Sequence, residues 1–284
     1  MKFVRRQSGF TLIELLVVIS ILAIIASLAI PAIKNLGKSN ISVSAARQLL
    51  DDVGRARLLA ISQRTTVYMV FVPTNYWATP LMPASTWTNN LNPIEFAAAV
   101  NLNDKQLTGY TFISYGAVGD QPGNHQWHYL APWQNLPANS FIASWKFLPR
   151  NPSVYTSLGI SPQYPNGQFP VYGFYYTNTI PFPTVSNTVA SAVPPPFLPY
   201  IAFNYLGQLT VDGVNPSYQD EYIPLAQGIA GYGIDPATKN PVLSPVAINA
   251  IAETPSGNST NSMFNLVHID ALTGRSRLEF QQVQ

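Results

Sequence analysis

A run of apolar residues close to the N-terminus constrains this chain more than any other feature. From Leu12 to Ile30 every residue is aliphatic except three polar ones, which are Glu14, Ser20 and Ser27. At about 1.5 Å rise per residue a helix of this run is roughly 28 Å long, close to the hydrocarbon thickness of a bilayer. The basic residues Lys2, Arg5 and Arg6 precede it and favour a cytoplasmic N-terminus. We therefore predict a transmembrane segment over residues 10–32.

The rest of the chain has few charges and no thiols. The net charge is +2, and without the first six residues 12 basic residues remain against 13 acidic ones, so nothing global points to nucleic acid. The absence of cysteine excludes disulfides, zinc–thiolate sites and thiol nucleophiles. The 25 prolines, 15 tyrosines and 14 phenylalanines favour a β-rich domain with long aromatic loops.

Two simpler interpretations of the N-terminus stay open. A secretory or twin-arginine signal has the same basic start and apolar run, with a cleavage site after Ala29. A plain single-pass anchor is the second interpretation. Glu14 argues against both, because a carboxylate inside an apolar run is costly unless it has a partner.

Residues 9–19 form a specific motif. They read Gly-Phe-Thr-Leu-Ile-Glu-Leu-Leu-Val-Val-Ile, which resembles the class III signal of type IV pilins and type II secretion pseudopilins. The resemblance implies a leader peptide over residues 1–9, cut by a prepilin peptidase between Gly9 and Phe10, with Phe10 then N-methylated. It also implies that Glu14, the fifth mature residue, pairs with the N-terminal amine of a neighbouring subunit and sets the assembly register. Pro31 falls where these proteins often have a helix-kinking proline; a kink or a helix break at the membrane exit is expected there.

The partners follow from the same resemblance. They are a prepilin peptidase, other pilin or pseudopilin subunits, an inner-membrane assembly platform and the lipid bilayer. Nucleic acid is not expected as a partner, and no cofactor is implied.

Helical periodicity resumes after a polar patch at Gly37–Ser42. Apolar residues recur at three- and four-residue steps from Val43 to Ile61, with charged residues mostly on the other face. We predict a stem helix over residues 10–64 whose second part, 39–64, is amphipathic. An exported β-rich domain follows over residues 65–284, with a Pro- and aromatic-rich insert at about 74–199.

Several segments are predicted as strands from β-branched and aromatic residues. They are Thr65–Val72, Tyr110–Tyr115, Ser144–Leu148, Tyr172–Thr177, Tyr200–Tyr205, Gln208–Val211, Phe264–Asp270 and Arg275–Phe280. The turns at Asn204–Gly207 and Ala271–Gly274 read as hairpins. The stem, Ile201–Gly207 and Val267–Leu278 together resemble GspH/FimT-type minor pseudopilins, whose stem helix packs on β-sheets; the middle insert departs from that pattern.

Few other residues suggest chemistry. His125 and His128 resemble half of a metal site, but they lie in a loop without a third ligand, so no metal is predicted. The carboxylates Asp212, Asp220, Glu221 and Asp235 match no calcium-loop spacing. No nucleophile elbow or phosphate loop occurs, and no catalytic residue is predicted.

A Gly-Arg-Ser-Arg segment at residues 274–277 offers an alternative function. Some FimT-like minor pilins of DNA uptake bind DNA through such a segment, and this resemblance makes Arg275 and Arg277 candidate DNA-binding residues. Alternate residues on one strand face lie 6–7 Å apart, about the spacing of adjacent phosphates. Glu279 continues the same face and opposes this interpretation.

Taken together, the sequence predicts an α+β, pilin-like fold with a long N-terminal helix packed on an antiparallel β-sheet domain. The predicted role is structural, not enzymatic: a minor pseudopilin of a type II secretion pseudopilus or a type IV pilus-like filament. The chain is expected in the bacterial inner membrane, with its C-terminal domain exported to the periplasm or a surface filament. The alternatives are a DNA-binding minor pilin and a membrane-anchored surface protein that does not polymerise.

Overall fold

The structure is a computed structural model of the chain. It describes residues 12–74, 76, 93–120, 125–148, 150, 163–164, 169–178, 180–182, 198–239, 251–259 and 265–279. Within the N-terminal helix, the side chains of residues 26 and 28–42 lie outside this description.

A single long helix forms the stem. Helix α1 runs over Leu12–Gln63, through both Pro31 and the Gly37–Ser42 patch, so the helix does not end at either. It stops at Arg64, which has a positive φ of 51°, and the Thr65 N–H closes the last turn on the Ala60 carbonyl at 3.2 Å. Helix α1 thus covers Leu12–Gln63 of the stem predicted over residues 10–64.

The chain divides into two compact units, residues 1–41 and 42–284. The second unit begins at Ser42, inside α1, whereas the sequence placed the domain boundary at residue 65. The reason is packing: from Ala45 onward one face of α1 is buried in the β domain, so the second part of the helix belongs to that domain's core.

One sheet follows directly from the stem. Its strands are β1 (Thr66–Phe71), β2 (Gly109–Tyr115), β3 (Trp127–Tyr129), β4 (Gln134–Asn135), β8 (Tyr200–Phe203) and β9 (Leu209–Thr210). They pair in the order β3-β2-β1-β8-β9, with β4 also on β2, and every pairing is antiparallel.

A second antiparallel sheet lies later in the chain. It contains β5 (Ser140–Ile142), β10 (Glu221–Ala230), β11 (Ile251–Glu253), β12 (Asn265–Ile269) and β13 (Ser276–Glu279), in the order β11-β10-β12-β13 with β5 also on β10. The short strands β6 (Gln163–Tyr164) and β7 (Phe169–Pro170) pair with each other, and helix α2 spans Pro93–Val100. The antiparallel sheets and the N-terminal helix confirm the α+β class.

The two sheets and the second part of α1 share one core. Ala46, Leu49, Val53, Ala56 and Ala60 on the helix are fully buried. Inward-facing residues of both sheets pack against them, among them Met69 of β1, Phe112 of β2, Ile223 of β10 and Val267 of β12. Burial of this stripe is the expected result of its three- and four-residue spacing.

A separate core covers the outer face of the first sheet. Tyr68, Val70 and Tyr200 point away from α1 and pack against residues of the insert, including Ala99, Leu102 and Phe182. The insert therefore has a structural role that its loop-like composition did not indicate. It supplies the layer that buries the second face of the sheet.

Most of the predicted strands are confirmed. The structure has strands at β1, β2, β8, β9, β12 and β13, each within two residues of the predicted bounds apart from residues outside the description. Both predicted hairpins are present, with Phe203 paired to Leu209 and Ile269 paired to Ser276.

Two strand predictions are wrong. Ser144–Phe147 is a 3-10 helix, because the Lys146 N–H bonds to the Ala143 carbonyl and the turn directs both Trp145 and Lys146 into the interior. Residues 172–177 contain only an isolated bridge from Tyr175 to Tyr200.

Candidate assembly site

The first part of α1 exposes apolar side chains on all sides. From Leu12 to Ile25, every large aliphatic side chain is 46% to 83% exposed. Monomeric soluble proteins rarely expose a continuous apolar surface of this extent. This segment, which we call the apolar segment (residues 12–25), is therefore a surface that another apolar phase or another protein has to cover.

The two serine hydroxyls near this surface have hydrogen-bond partners within the helix itself. Ser20 Oγ donates to the Leu16 carbonyl at 2.8 Å, and Ser27 Oγ donates to the Ile24 carbonyl at 2.7 Å. Glu14 lies in α1, two residues after Leu12, the first residue that the structure describes. Because both serine hydroxyls donate to backbone carbonyls of the same helix, this part of α1 is compatible with an environment that offers no hydrogen-bond partners.

Several predicted site residues, or their side chains, lie outside the part of the chain that the structure describes. Gly9 and Phe10 lie outside the described residues. Pro31 lies inside α1, but its side chain is outside the description, so a kink there stays a prediction. Among the residues that the structure describes, no helix has both the length and the apolar character needed to cross a membrane. The span predicted for residues 10–32 stays a prediction.

Polar contacts attach the second part of α1 to the first sheet. Gln48 Nε2 donates to the Tyr110 hydroxyl at 2.8 Å, and that hydroxyl donates to the Asp52 carboxylate. Burial and the bond to Asp52 both raise the pKa of Tyr110. The Arg55 guanidinium lies 5.6 Å from the centre of the Phe112 ring. These contacts fix the rotation of the helix on the sheet.

Both predicted hairpin turns contact α1 at Arg57. Its Nε donates to the Thr273 carbonyl at 2.7 Å. Gly207 and Gly274 have positive φ values of 80° and 62°, and a Cβ at Gly274 would lie 2.0 Å from the Gly207 carbonyl oxygen. The two turns therefore meet backbone to backbone, and glycine is required for that approach.

Of the two candidate DNA-binding arginines, Arg277 lies on β13 beside a carboxylate, whereas Arg275 lies in the turn just before that strand. Arg277 Nε donates to Glu279 Oε1 at 2.6 Å, as strand alternation predicted. Burial opposes ionisation of Glu279, but hydrogen bonds with His268 and Arg277 lower its pKa overall. Arg275 is exposed.

His268 adds to this charge cluster. Its Nε2 lies 2.8 Å from Asp220 Oδ2, its Nδ1 lies 3.1 Å from Glu279 Oε1, and its ring stacks on Tyr222. The Asp220 carboxylate also accepts the Ala271 N–H at 2.8 Å. Because Asp220 and Glu279 neutralise much of the positive charge here, the cluster favours a structural role over phosphate binding. DNA binding by Arg275 and Arg277 stays a prediction.

The scattered carboxylates considered for calcium do not converge. Asp212 accepts the backbone N–H groups of Val214 and Asn215, which lower its pKa to about 2. Asp235 caps its own turn through the Ala237 N–H.

The histidine pair is also divided between different contacts. His128 Nε2 lies 3.1 Å from Asp120, while His125 lies against the Tyr115 ring. Within the described ranges, no group of three or more potential ligands could hold a metal ion.

The sequence did not indicate a buried ionic network. Lys146 is fully buried with its Nζ on Glu221 and donating to the Tyr172 carbonyl at 2.5 Å. Arg150 Nη1 reaches the other Glu221 oxygen at 3.1 Å. Burial lowers the pKa of Lys146 to about 8 despite the opposing effect of Glu221. Lys146 and Glu221 are 75 residues apart, and no local pattern marks such a pair.

Comparison with known families supports the N-terminal motif. The family model for the prokaryotic N-terminal methylation motif matches residues 4–30. This match supports a type IV pilin-like protein that is processed by a prepilin peptidase and points to anchoring in the inner membrane. Comparisons with curated proteins and with solved structures give no significant match.

Proposed function

We propose that this chain is a structural subunit, a minor pseudopilin, of a type II secretion pseudopilus or a type IV pilus-like filament. The observation that carries the proposal is the methylation motif at residues 4–30, followed by a helix that runs without a break from Leu12 into a β domain. The apolar segment holds the precursor in the inner membrane and is covered by other subunits after assembly. The role is structural rather than catalytic.

Processing is the first test. When the full chain is produced together with a prepilin peptidase, intact-mass analysis should show a mature protein that begins at N-methylated Phe10. A Gly9→Val variant should stay at precursor mass, because a branched side chain obstructs the backbone at the cleavage position. A wild-type chain that begins after Ala29, or that still begins at Met1, contradicts the proposal.

Assembly is the second test. Glu14 lies in α1, and the resemblance to pilins gives it the role of pairing with the amine of the next subunit. We expect Glu14→Ala to be processed normally and to lose at least ten-fold in the sheared filament fraction. The conservative Glu14→Asp should retain part of that incorporation. Normal incorporation of processed Glu14→Ala would argue for an anchored protein that does not polymerise.

A further inference from the structure

His268 lies between two carboxylates, and its side chain is only 7% exposed. Its Nε2 lies 2.8 Å from Asp220 Oδ2, and its Nδ1 lies 3.1 Å from Glu279 Oε1. An ionised carboxylate only accepts hydrogen bonds, and a neutral imidazole has one N–H to donate. Both contacts can therefore be hydrogen bonds at the same time only when both ring nitrogens carry a proton.

The three residues of this cluster belong to three different parts of the second sheet. Asp220 directly precedes β10, and its second oxygen, Oδ1, accepts the Ala271 N–H of the hairpin turn at 2.8 Å. His268 lies on β12, and Glu279 is the last residue of β13. We call Asp220, His268 and Glu279 the histidine latch. The latch joins the terminal strand β13 to the start of β10, in addition to the backbone pairing of β13 with β12.

The other charged and titratable groups around the latch keep their charge near neutral pH. Arg277, opposite His268 on β13, is a cation that donates to Glu279. Tyr222 on β10 stacks on the imidazole ring, and burial raises the pKa of Tyr222 to about 12, so its hydroxyl stays neutral. Asp270, the next carboxylate along the chain, is hydrogen-bonded within the hairpin turn. Among these described neighbours, His268 is the group whose type ordinarily changes charge between pH 5 and 8.

We propose that the histidine latch is a pH-sensitive switch that controls how firmly β13 is held on the domain. At the acidic end of the histidine range, the doubly protonated ring holds Asp220 and Glu279 together. When the ring loses one proton, a nitrogen lone pair faces a carboxylate oxygen, and that contact becomes repulsive. Strand β13 then opens more often and uncovers the backbone edge of β12. The contribution of the latch to stability is therefore present at low pH and is lost as the pH rises.

Hydrogen exchange measures the opening of β13. The full detergent-solubilised chain is labelled at pH 6 and at pH 8.5, and the exchange rate of each peptide is divided into that of the unstructured chain at the same pH. The resulting protection is compared between peptides from residues 265–279 and peptides from β1, Thr66–Phe71, in the same sample. We expect the protection of residues 265–279 relative to β1 to fall at least five-fold from pH 6 to pH 8.5. A ratio that is the same at both pH values would overturn the proposal.

Asp220→Asn separates a switch from a purely structural contact. The carbonyl oxygen of the asparagine can still accept the Ala271 N–H, while its amide group donates to Nε2 of a neutral His268 ring. The neutral ring then keeps its one proton on Nδ1 for the contact with Glu279. We expect this variant to lose the five-fold fall and to be better protected than the wild type at pH 8.5. An equal loss of protection at both pH values would mean that Asp220 is only a structural partner, and the proposal would be wrong.

Other groups that titrate in this range are controlled for separately. Burial lowers the pKa of Lys146 to about 8, but Lys146 is unchanged in Asp220→Asn, so an effect of Lys146 would persist in that variant. A chain with His125→Gln and His128→Gln retains His268 as its only histidine and should keep the full five-fold fall. If the fall disappears in that chain, the pH response belongs to one of the other two histidines, and the assignment to His268 is refuted.

Discussion

At the scale of single residues, Gly274 is the backbone position on which the hairpin junction most depends. Its φ of 62° disfavours any residue with a Cβ, and that Cβ would lie 2.0 Å from the Gly207 carbonyl oxygen. We expect Gly274→Ala to lower the free energy of unfolding by more than about 1 kcal/mol. Urea unfolding of the detergent-solubilised chain, followed by tryptophan fluorescence, measures the change.

Gly54→Ala is the matched control for that prediction. It adds the same methyl group where nothing lies within 4 Å. The alanine should raise the free energy of unfolding by about 0.5–1 kcal/mol, because helix formation costs alanine less entropy. Equal destabilisation by both substitutions would show that the Gly274 conformation has no special role.

The buried ionic network gives a second prediction at this scale. Glu221→Gln leaves the cations of Lys146 and Arg150 facing each other without a carboxylate, whereas Lys146→Met leaves Glu221 paired with Arg150. We expect Glu221→Gln to cost about 3–5 kcal/mol of unfolding free energy and Lys146→Met to cost clearly less. Urea unfolding of the two variants, again followed by tryptophan fluorescence, measures which substitution costs more unfolding free energy. The reverse order would mean that Lys146 alone determines the stability of the network.

At the scale of elements, the attachment of α1 to the first sheet is testable through Tyr110. Tyr110→Phe removes the hydroxyl that joins Gln48 to Asp52 and keeps the ring. Because one of the groups left behind is a carboxylate, we expect a loss of about 1–3 kcal/mol in unfolding free energy. Tyr115→Phe, on an exposed tyrosine of the same strand, should change it by less than about 0.5 kcal/mol. Similar effects of the two variants would contradict the assigned role of this contact.

The elements also show how far sequence reasoning reaches. Helix α1, strands β1 and β2 and the two hairpins were predictable, because each has a clean periodicity or a turn glycine next to it. Strand β10, ten residues long, was not predicted, since Pro224 and Gly228 interrupt its pattern. In the structure the Pro224 carbonyl accepts the Ala143 N–H at 3.0 Å, just past the end of β5. Pro224 has no N–H to donate, and strand β5, which would have accepted that bond, has already ended at this position.

The candidate site was predictable to a different degree. The motif residues and the apolar segment follow from local sequence alone. The junction of the two hairpin turns at Arg57, and the contacts of His268 with Asp220 and Glu279, depend on strand order, which no local pattern specifies. The ion pair of Lys146 with Glu221 also joins residues that are distant in sequence, and for the same reason it could not be found.

At the scale of the whole molecule, the domain holds many tyrosines inside it. Burial raises the pKa of Tyr200 to about 12, and burial also raises the pKa of Tyr68, Tyr110 and Tyr129. The unfolded chain releases the hydroxyl protons of these tyrosines near pH 10, whereas the folded chain retains them to higher pH. The free energy of unfolding should therefore be unaffected by these groups below pH 10 and fall as the pH rises from 10 towards 12.

Urea unfolding at pH 9, 10 and 11 measures this decline. Tyr200→Phe should make the fall of unfolding free energy with pH less steep, because it removes one of the buried hydroxyl groups with a raised pKa. A midpoint that stays constant from pH 9 to pH 11 would contradict the burial of these hydroxyl groups.

The first sheet has two cores, one on each face, and this has a consequence for how such a protein can diversify. The face towards α1 packs on the stem, while the opposite face packs on residues of the insert, among them Ala99, Leu102 and Phe182. Because a backbone sheet separates the two layers, the covering layer can be exchanged or lengthened without moving a residue of the stem contact. A family built in this way can change the surface it presents outward while its subunits keep one common rule of assembly.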